Sequence, residues 1–298
     1  MTADDFRAHI GTLNTWSAGG TRAPHKPLLL LYALARFADG TEQLRYNDVE
    51  SRLLRLLEDF GPPRKKVQAF SFQRLATSPL WEVNGAEPIR VTASGDWFVS
   101  DARRINPVGQ FSADARRLLH AQPGLIAETA YAVLDGHFAP SLHEDILTSI
   151  GLDPESAARG TKRPSRDPAF REAVLEAYGY ECAVCGFGVR VGRKLVGIEA
   201  AHVQWHSAGG PDAVPNGLAL CSLHHKLLDE GAYRIEPAAD QSRTLVVAAS
   251  AHGSGSFDQW LMAFHRRAIA EPTRTEYRVS EPFLRWHARE VFKCRPRA

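Results

Sequence analysis

Cys182 and Cys185 form a C-x-x-C pair, and Cys221 and His224 form a C-x-x-H pair. Thiolate and imidazole are the donors tetrahedral zinc takes, and two such pairs in one segment complete its four ligands. Between and just after them stand His202, Asn216 and His225, which such a cage does not need. The segment therefore reads as two sites, a closed structural zinc and an open catalytic centre. An imidazole with an ordinary pKa of about 6.5 can accept a proton near neutral pH, which makes His202 the candidate base. Neighbouring helical residues point about 100° apart, so of His224 and His225 one enters the cage while the other faces the open centre. The third position after Cys221 assigns His224 to zinc, and an exchange of the two roles is the alternative. His206, four residues after His202, reads as a cleft-rim residue or as a further metal ligand.

These residues resemble an HNH nuclease of the ββα-metal kind over roughly residues 165–235. In that family a strand carries the first His, a loop the Asn and a helix the last His, which here are His202, Asn216 and His225. The resemblance implies phosphodiester hydrolysis, with His202 as the base for water. It makes His225 a ligand for a catalytic Mg²⁺, Mn²⁺ or similar ion, and Asn216 a loop tie through side-chain-to-backbone hydrogen bonds. Many HNH sequences carry an acidic ligand directly before the first His. Here that position is Ala201, and the nearest carboxylate is Glu199, with Asp229 and Glu230 as other candidates. In a regular strand Glu199 and His202 face opposite ways, so either the strand bends there or Glu199 is not a ligand.

Composition sets the frame for these sites. The chain of 298 residues suggests two domains of ordinary soluble composition, 44% hydrophobic and 23% charged. A net charge of +2 does not announce nucleic acid, so any DNA face must be a local patch. Three of the four cysteines are spent on the metal pairs, which leaves no disulfide framework and Cys294 as a spare thiol. The longest apolar run, Pro27 to Ala35, is too short to span a membrane. With an acidic start and no signal-peptide pattern, the expected location is the cytoplasm.

Along the chain, residues 1–20 read as an amphipathic helix. Pro27 is placed at the first position of an apolar helix over Leu28–Phe37, and a helix over 47–60 follows. A hairpin is expected around Ser94-Gly95-Asp96, helices over 112–120 and 124–135, and a capping box at Ser141–Glu144 opening a helix to Ile150. The Pro- and Gly-containing stretch 152–166 reads as a linker between domains over 1–151 and 167–298, and the final helix over Phe283–Phe292 is expected to pack back on the second.

The first domain carries a second resemblance. H-K-P-L-L-L-L-Y at 25–32, F-S-F-Q-R-L at 70–75 and L-W-E-V at 80–83 are similar to the sulfur-binding domain found before HNH modules in type IV restriction endonucleases. That similarity implies binding of double-stranded, phosphorothioate-modified DNA. A sulfur atom is larger and less strongly hydrated than oxygen, so a shallow apolar cup edged by N–H groups and a cation accepts it at lower desolvation cost. The candidate cup and clamp are Phe70, Ser71, Arg74 and the Ser94-Gly95 turn, with Arg22, His25 and Lys26 beside them. Arg64, Lys65, Lys66, Arg103 and Arg104, interleaved with Phe72, Trp81 and Trp97, are as a set compatible with a wider DNA-reading face, while any one of them reads better as a solvated charge or a core aromatic. The expected architecture is α+β: an α+β sulfur-binding domain, then a zinc-stapled ββα-metal domain. A double-strand break needs two cuts, so a homodimer is expected. Two alternatives stay open: an HNH endonuclease reading 5-methylcytosine or plain sequence, and a catalytically dead, zinc-containing DNA-binding regulator.

Overall fold

Four consecutive leucines cannot form a one-sided stripe, so a helix containing Leu28–Leu31 must be covered all round. In the computed structural model, which describes residues 1–12, 24–62, 71–93, 95–152 and 168–297, all four are fully buried. The described residues fall into two compact units, one up to residue 152 and the other from 168 onward.

In the first unit α1 (Ala3–Gly11) opens with a reciprocal Thr2–Asp5 capping box. The central helix α2 (His25–Ala38) follows, then the two-residue strand β1 (Leu44–Arg45) and α3 (Tyr46–Phe60). α4 (Ser71–Leu75), β2 (Trp81–Asn84), α5 (Val99–Ile105) and β3 (Val108–Phe111) come next. α6 (Ala113–Ala121), α7 (Gly124–His137) and α8 (His143–Ile150) complete the unit. The strands make one antiparallel sheet in the order β1-β3-β2. Helices α3, α4, α7 and α8 wrap α2. An edge-to-face aromatic chain runs Tyr46–Phe72–Trp81–Phe111–Phe37, with ring centroids 5.6–5.9 Å apart. Gly109 of β3 lies beneath it, and a Cβ there would stand 2.5 Å from the rings of both Phe72 and Trp81.

Four sequence expectations change here. Helix α1 ends at Gly11, and 13–23 lie outside the described residues. Pro24 caps α2 and Pro27 lies inside its first turn, because the turn's N–H groups lack helical partners and tolerate proline there. The capping box at Ser141 is replaced by a 3-10 turn over Pro140–Leu142, and α8 starts at His143 without a side-chain cap bond. The hairpin around Gly95 shrinks to one bridge, Val91 with Trp97, because α5 starts at Val99 and its Asp101 takes the Arg90 guanidinium at 2.6 Å.

In the second unit α9 (Pro168–Ala177) precedes a small ribbon of β4 (Val189–Val191) and β5 (Lys194–Val196). The antiparallel pair β6 (Ile198–His202) and β7 (Gly217–Cys221) follows and runs directly into α10 (Ser222–Asp229). This is a ββα unit, and α9 and α10 both pack on the pair. The hairpin β8 (Tyr233–Pro237) and β9 (Arg243–Val247), the short α11 (Gly255–Trp260) and α12 (Glu281–Glu290) complete the unit. α12 returns to the ββα core, where His287 bonds the Leu228 carbonyl at 3.0 Å and Trp286 meets Trp205 edge-on. None of the described helices is long and apolar enough to cross a membrane.

Because Gly109 admits the Phe72 and Trp81 rings onto β3, Gly109→Ala should lower the stability of the first unit by about 1–3 kcal/mol. Denaturant melts of the full chain check this, and the second unit's transition should not move.

Candidate active site

The first knuckle is a backbone turn. Tyr180 and Gly186 both have positive φ, Gly186 N–H donates to the Cys182 carbonyl at 2.8 Å, and Cys182 N–H to that of Phe187 at 2.8 Å. The second knuckle is the β7–α10 junction, where Cys221 caps the helix and His224 sits in its first turn. The donor atoms of Cys182, Cys185, Cys221 and His224 all lie within 4.8 Å of one another. Individual spacings are 3.1 Å from Cys221 Sγ to His224 Nδ1, 3.7 Å from Cys182 Sγ to the same nitrogen, and 3.9 Å between Cys185 and Cys221. With Zn–S bonds of about 2.3 Å a tetrahedron has edges of about 3.8 Å, so the donor set fits zinc. The Trp260 carbonyl sits 3.0 Å from His224 Nε2 and so leaves Nδ1 to the cage. A hydrogen bond with Cys221, joined by one with His224, holds the Cys182 thiol down at about 3, while the same bond and burial push Cys221 up.

His225 turns away from the cage toward two carboxylates. Its Nδ1 is 2.6 Å from Glu199 Oε2 on β6, and its Nε2 is 3.2 Å from Asp229 Oδ2 one turn along α10. Burial pushes this imidazole down, but the charge and hydrogen bond of Asp229, aided by Glu199, outweigh it and raise the pKa to about 9. Asp229 is buried and also accepts the Trp205 indole N–H at 2.9 Å, whereas Glu199 is half-open and accepts Ser222 Oγ at 2.9 Å. The two nitrogens of one ring point apart, so a cation bound on the Glu199 side leaves Asp229 to orient the ring from behind. Glu230 pairs with Lys226 instead, at 3.5 Å.

His202 ends β6 on the other side. The strand is regular through His202↔Gly217, so Glu199 faces α10 while the His202 ring stacks on Phe170 of α9, centroids 4.2 Å apart. His202 Nε2 lies 2.7 Å from Asp212 Oδ1. An Nε2–H donated to that carboxylate places the ring's lone pair on Nδ1, the tautomer a base needs. Asp212 is held by the loop that Asn216 closes. Fully buried, Asn216 accepts Gln204 N–H at 2.8 Å and donates to the Gln204 and Pro211 carbonyls at 3.0 Å each. His206 lies at the rim with its ring 6.1 Å from that of His202. The structure thus brings Glu199 to His225 and sets His202 on the opposite face of the same strand. Asp212 and the orienting role of Asp229 were absent from the sequence reading. The i,i+4 spacing of His225 and Asp229 was the signal for the second, and nothing local marked the first.

In the first unit His25 and Lys26 occupy the first turn of α2, which packs on α4. Gly95, φ +79°, presents its carbonyl to Gln73 Nε2 at 2.6 Å, and Gln73 Oε1 accepts Trp97 N–H at 2.8 Å. Gln73, unremarked in the sequence, therefore ties the Gly95 turn to α4, the helix that carries positions 71 and 74. Arg22, Arg64, Lys65, Lys66, Phe70 and Ser94 lie outside the described residues, as do the side chains of Ser71 and Arg74. Phe72 and Trp81 belong to the core rather than to an exposed face, because the sheet needs their area. Arg103 and Arg104 are paired with Glu50 and Glu87, at 2.8 and 2.9 Å.

Residues 3–155 match the family of ScoMcrA-like DNA sulfur-binding domains. The chain belongs to that family. Residues 182–236 match the HNH endonuclease family, so the sulfur-binding domain is joined to a nuclease. Among solved structures, the chain is similar to the sulfur-binding domain of ScoMcrA complexed with phosphorothioated DNA. That match has 21% identity and a TM-score of 0.45, over 51% of this chain and 98% of that one. The corresponding domain of SprMcrA gives 23% identity and a TM-score of 0.43 over 51% and 95%. The type IV phosphorothioation-dependent restriction endonuclease ScoMcrA gives 21% and 0.43 over 58% and 34%. No curated protein matches the chain.

Removing a cage ligand by Cys182→Ser should lower bound metal from one equivalent and lower the melting temperature of the second unit. Metal analysis beside calorimetry reads both. Asn216→Ala leaves three buried backbone groups without their partner and should cost about 2–4 kcal/mol, read in the same melt.

Proposed function

We propose that the chain is a modification-dependent, type IV restriction endonuclease that binds phosphorothioated DNA through its first unit and hydrolyses a nearby phosphodiester with its HNH unit. One observation carries the reading: a domain of the sulfur-binding family shares a chain with a ββα unit whose first histidine is held by a carboxylate. Residues 1–151 form the recognition domain and 167–298 the nuclease domain, with 152–166 between them. Sulfur contact falls to the neighbourhood of α4, the Gly95 turn and the start of α2. There Arg22, His25, Lys26, Phe70, Ser71, Arg74 and Ser94 are the cup and clamp.

Zinc in the Cys182, Cys185, Cys221 and His224 cage braces the ββα unit. His202 Nδ1 takes a proton from water as the water oxygen bonds to phosphorus, and Asp212 stabilises the imidazolium that results. The bond to the 3′ oxygen breaks, the departing oxygen takes a proton from solvent water, and a 5′-phosphate and a 3′-hydroxyl remain. His225 and Glu199 would hold Mg²⁺ or Mn²⁺, which supplies positive charge to the departing oxygen. The pocket suits a cation, since Glu199 and Asp229 face the two nitrogens of the His225 ring. His202 and His225 lie on opposite faces of β6, so this mechanism requires one phosphate to reach both. Two protomers acting on a duplex in the cytoplasm would complete the break.

Matched duplexes with and without one phosphorothioate, tested with Mg²⁺ and Mn²⁺, decide the reading. Cutting should require sulfur. Equal cutting of both duplexes points to another mark or plain sequence, and binding without cutting in either metal points to a dead nuclease. His202→Ala should lower the cutting rate at least ~10²-fold with DNA binding intact. Asp212→Asn should give a smaller loss of the same kind, again with DNA binding intact.

A further inference from the structure

Of the nine large apolar side chains that stand exposed among the described residues, four belong to one feature: Phe187, Val189, Val191 and Val196, in or beside the β4–β5 ribbon. The register pairs Val189 with Val196, Arg190 with Leu195 and Val191 with Lys194. Side chains opposite each other share a face, so the three valines and Lys194 point one way and Arg190 and Leu195 the other. Leu195 packs on the core of the unit and Arg190 stacks on the Tyr180 ring at 5.0 Å. The ribbon is therefore seated on its Leu195 face and offers its valine face to solvent, with Val191 68% exposed. Gly192, φ +60°, and Arg193 form the tight turn at the tip. Residues 188–197 contain Arg190, Arg193 and Lys194 and no acid. Arg193 and Lys194 have no carboxylate partner among the described residues.

We propose that this ribbon is a duplex-contacting arm of the nuclease unit, laid in a groove of the DNA beside the cut, with Arg193 and Lys194 at phosphates and the valine face against base edges and sugars. The proposal rests on the endonuclease reading above and adds a second DNA contact to it. Three features support it together. The major groove of B-DNA admits a two-stranded ribbon, and thymine methyl groups give valine an apolar surface there. Charge favours a polyanion, whereas pairing with a second copy of the ribbon would bring like charges together with no acid to offset them. Position favours it too, since Gly197 alone separates the ribbon from β6. Five steps of about 3.3 Å from Gly197 set His202 roughly 16 Å beyond, which is about five base pairs along a duplex.

The test uses the full chain with the double substitution Arg193→Ala/Lys194→Ala, and separately Val191→Asp. Affinity is measured against salt on matched duplexes with and without one phosphorothioate, alongside cutting rate and sedimentation. Loss of two phosphate contacts should reduce the slope of log affinity against log salt by about 1.8 on either duplex. Cutting should fall by about 10-fold in both variants, while preference for sulfur and oligomeric state stay as in the parent. An unchanged salt slope together with unchanged cutting overturns the arm. So does a Val191→Asp chain that falls from dimer to monomer while the double variant keeps the parent slope, because the ribbon then serves a second copy. A parent chain indifferent to sulfur whose slope still drops with the double substitution would sink the sulfur-dependent function and leave the arm standing.

Discussion

The rotation of one short helix governs the nuclease unit. Cys221 caps α10 and His224 lies in its first turn, so the cage that joins them to the Cys182–Cys185 knuckle fixes the helix about its own axis. A step of about 100° then carries His225 out of the cage and toward Glu199 and Asp229. No packing of apolar side chains sets a helix phase as sharply, because leucines tolerate rotations that four donor atoms on one ion do not. Tyr233, fully buried, adds a hydroxyl bond to the His224 carbonyl at 2.9 Å and anchors the same turn from the β8 side.

The pocket around His225 differs from the cage in a way that follows from its donors. Thiolates and an imidazole on all sides close a site, while one imidazole with a half-open carboxylate leaves room for water and a phosphate oxygen. The buried Asp229, locked by the Trp205 indole, sits where a second carboxylate orients a ligating ring rather than competing for the ion. Trp205 in turn rests edge-on against Trp286 of α12, so the last helix of the described chain supports the pocket from outside the ββα unit.

Local spacing made the four-donor cage legible, since each pair of its ligands falls within one turn of chain. Of the two readings of β6, a bent strand or a Glu199 that is no ligand beside His202, the structure shows the strand unbent, with Glu199 turned to His225 instead. What alternation could not supply was the occupant of each face, α10 on one side and Phe170 of α9 on the other, because that is decided by packing. Asp212 is ten residues from its histidine across a loop that Asn216 closes, and no periodicity marks such a contact. In the first unit α2 and α3 were legible from leucine spacing, whereas the short α4 and α5 were not. The aromatics Phe72 and Trp81 read equally well as a DNA face, and only their burial beneath β3 shows them to be core. Ser141 has the residues of a capping box, but the chain enters α8 through a 3-10 turn around Pro140, which moves the helix start past it.

Division of labour between the units follows from what each can recognise. A centre built of a base, an orienting carboxylate and a cation pocket addresses features shared by every phosphodiester, so it has little means of choosing among them. Choice must then come from contacts that sense an unusual atom. The Gly95 turn, pinned to α4 through both ends of the Gln73 amide, is the element proposed above for that role. Rigidity matters more there than charge, because sulfur and oxygen differ in size and hydration rather than in formal charge. A turn free to close up would accept either atom, and the discrimination would be lost without any loss of affinity for the backbone.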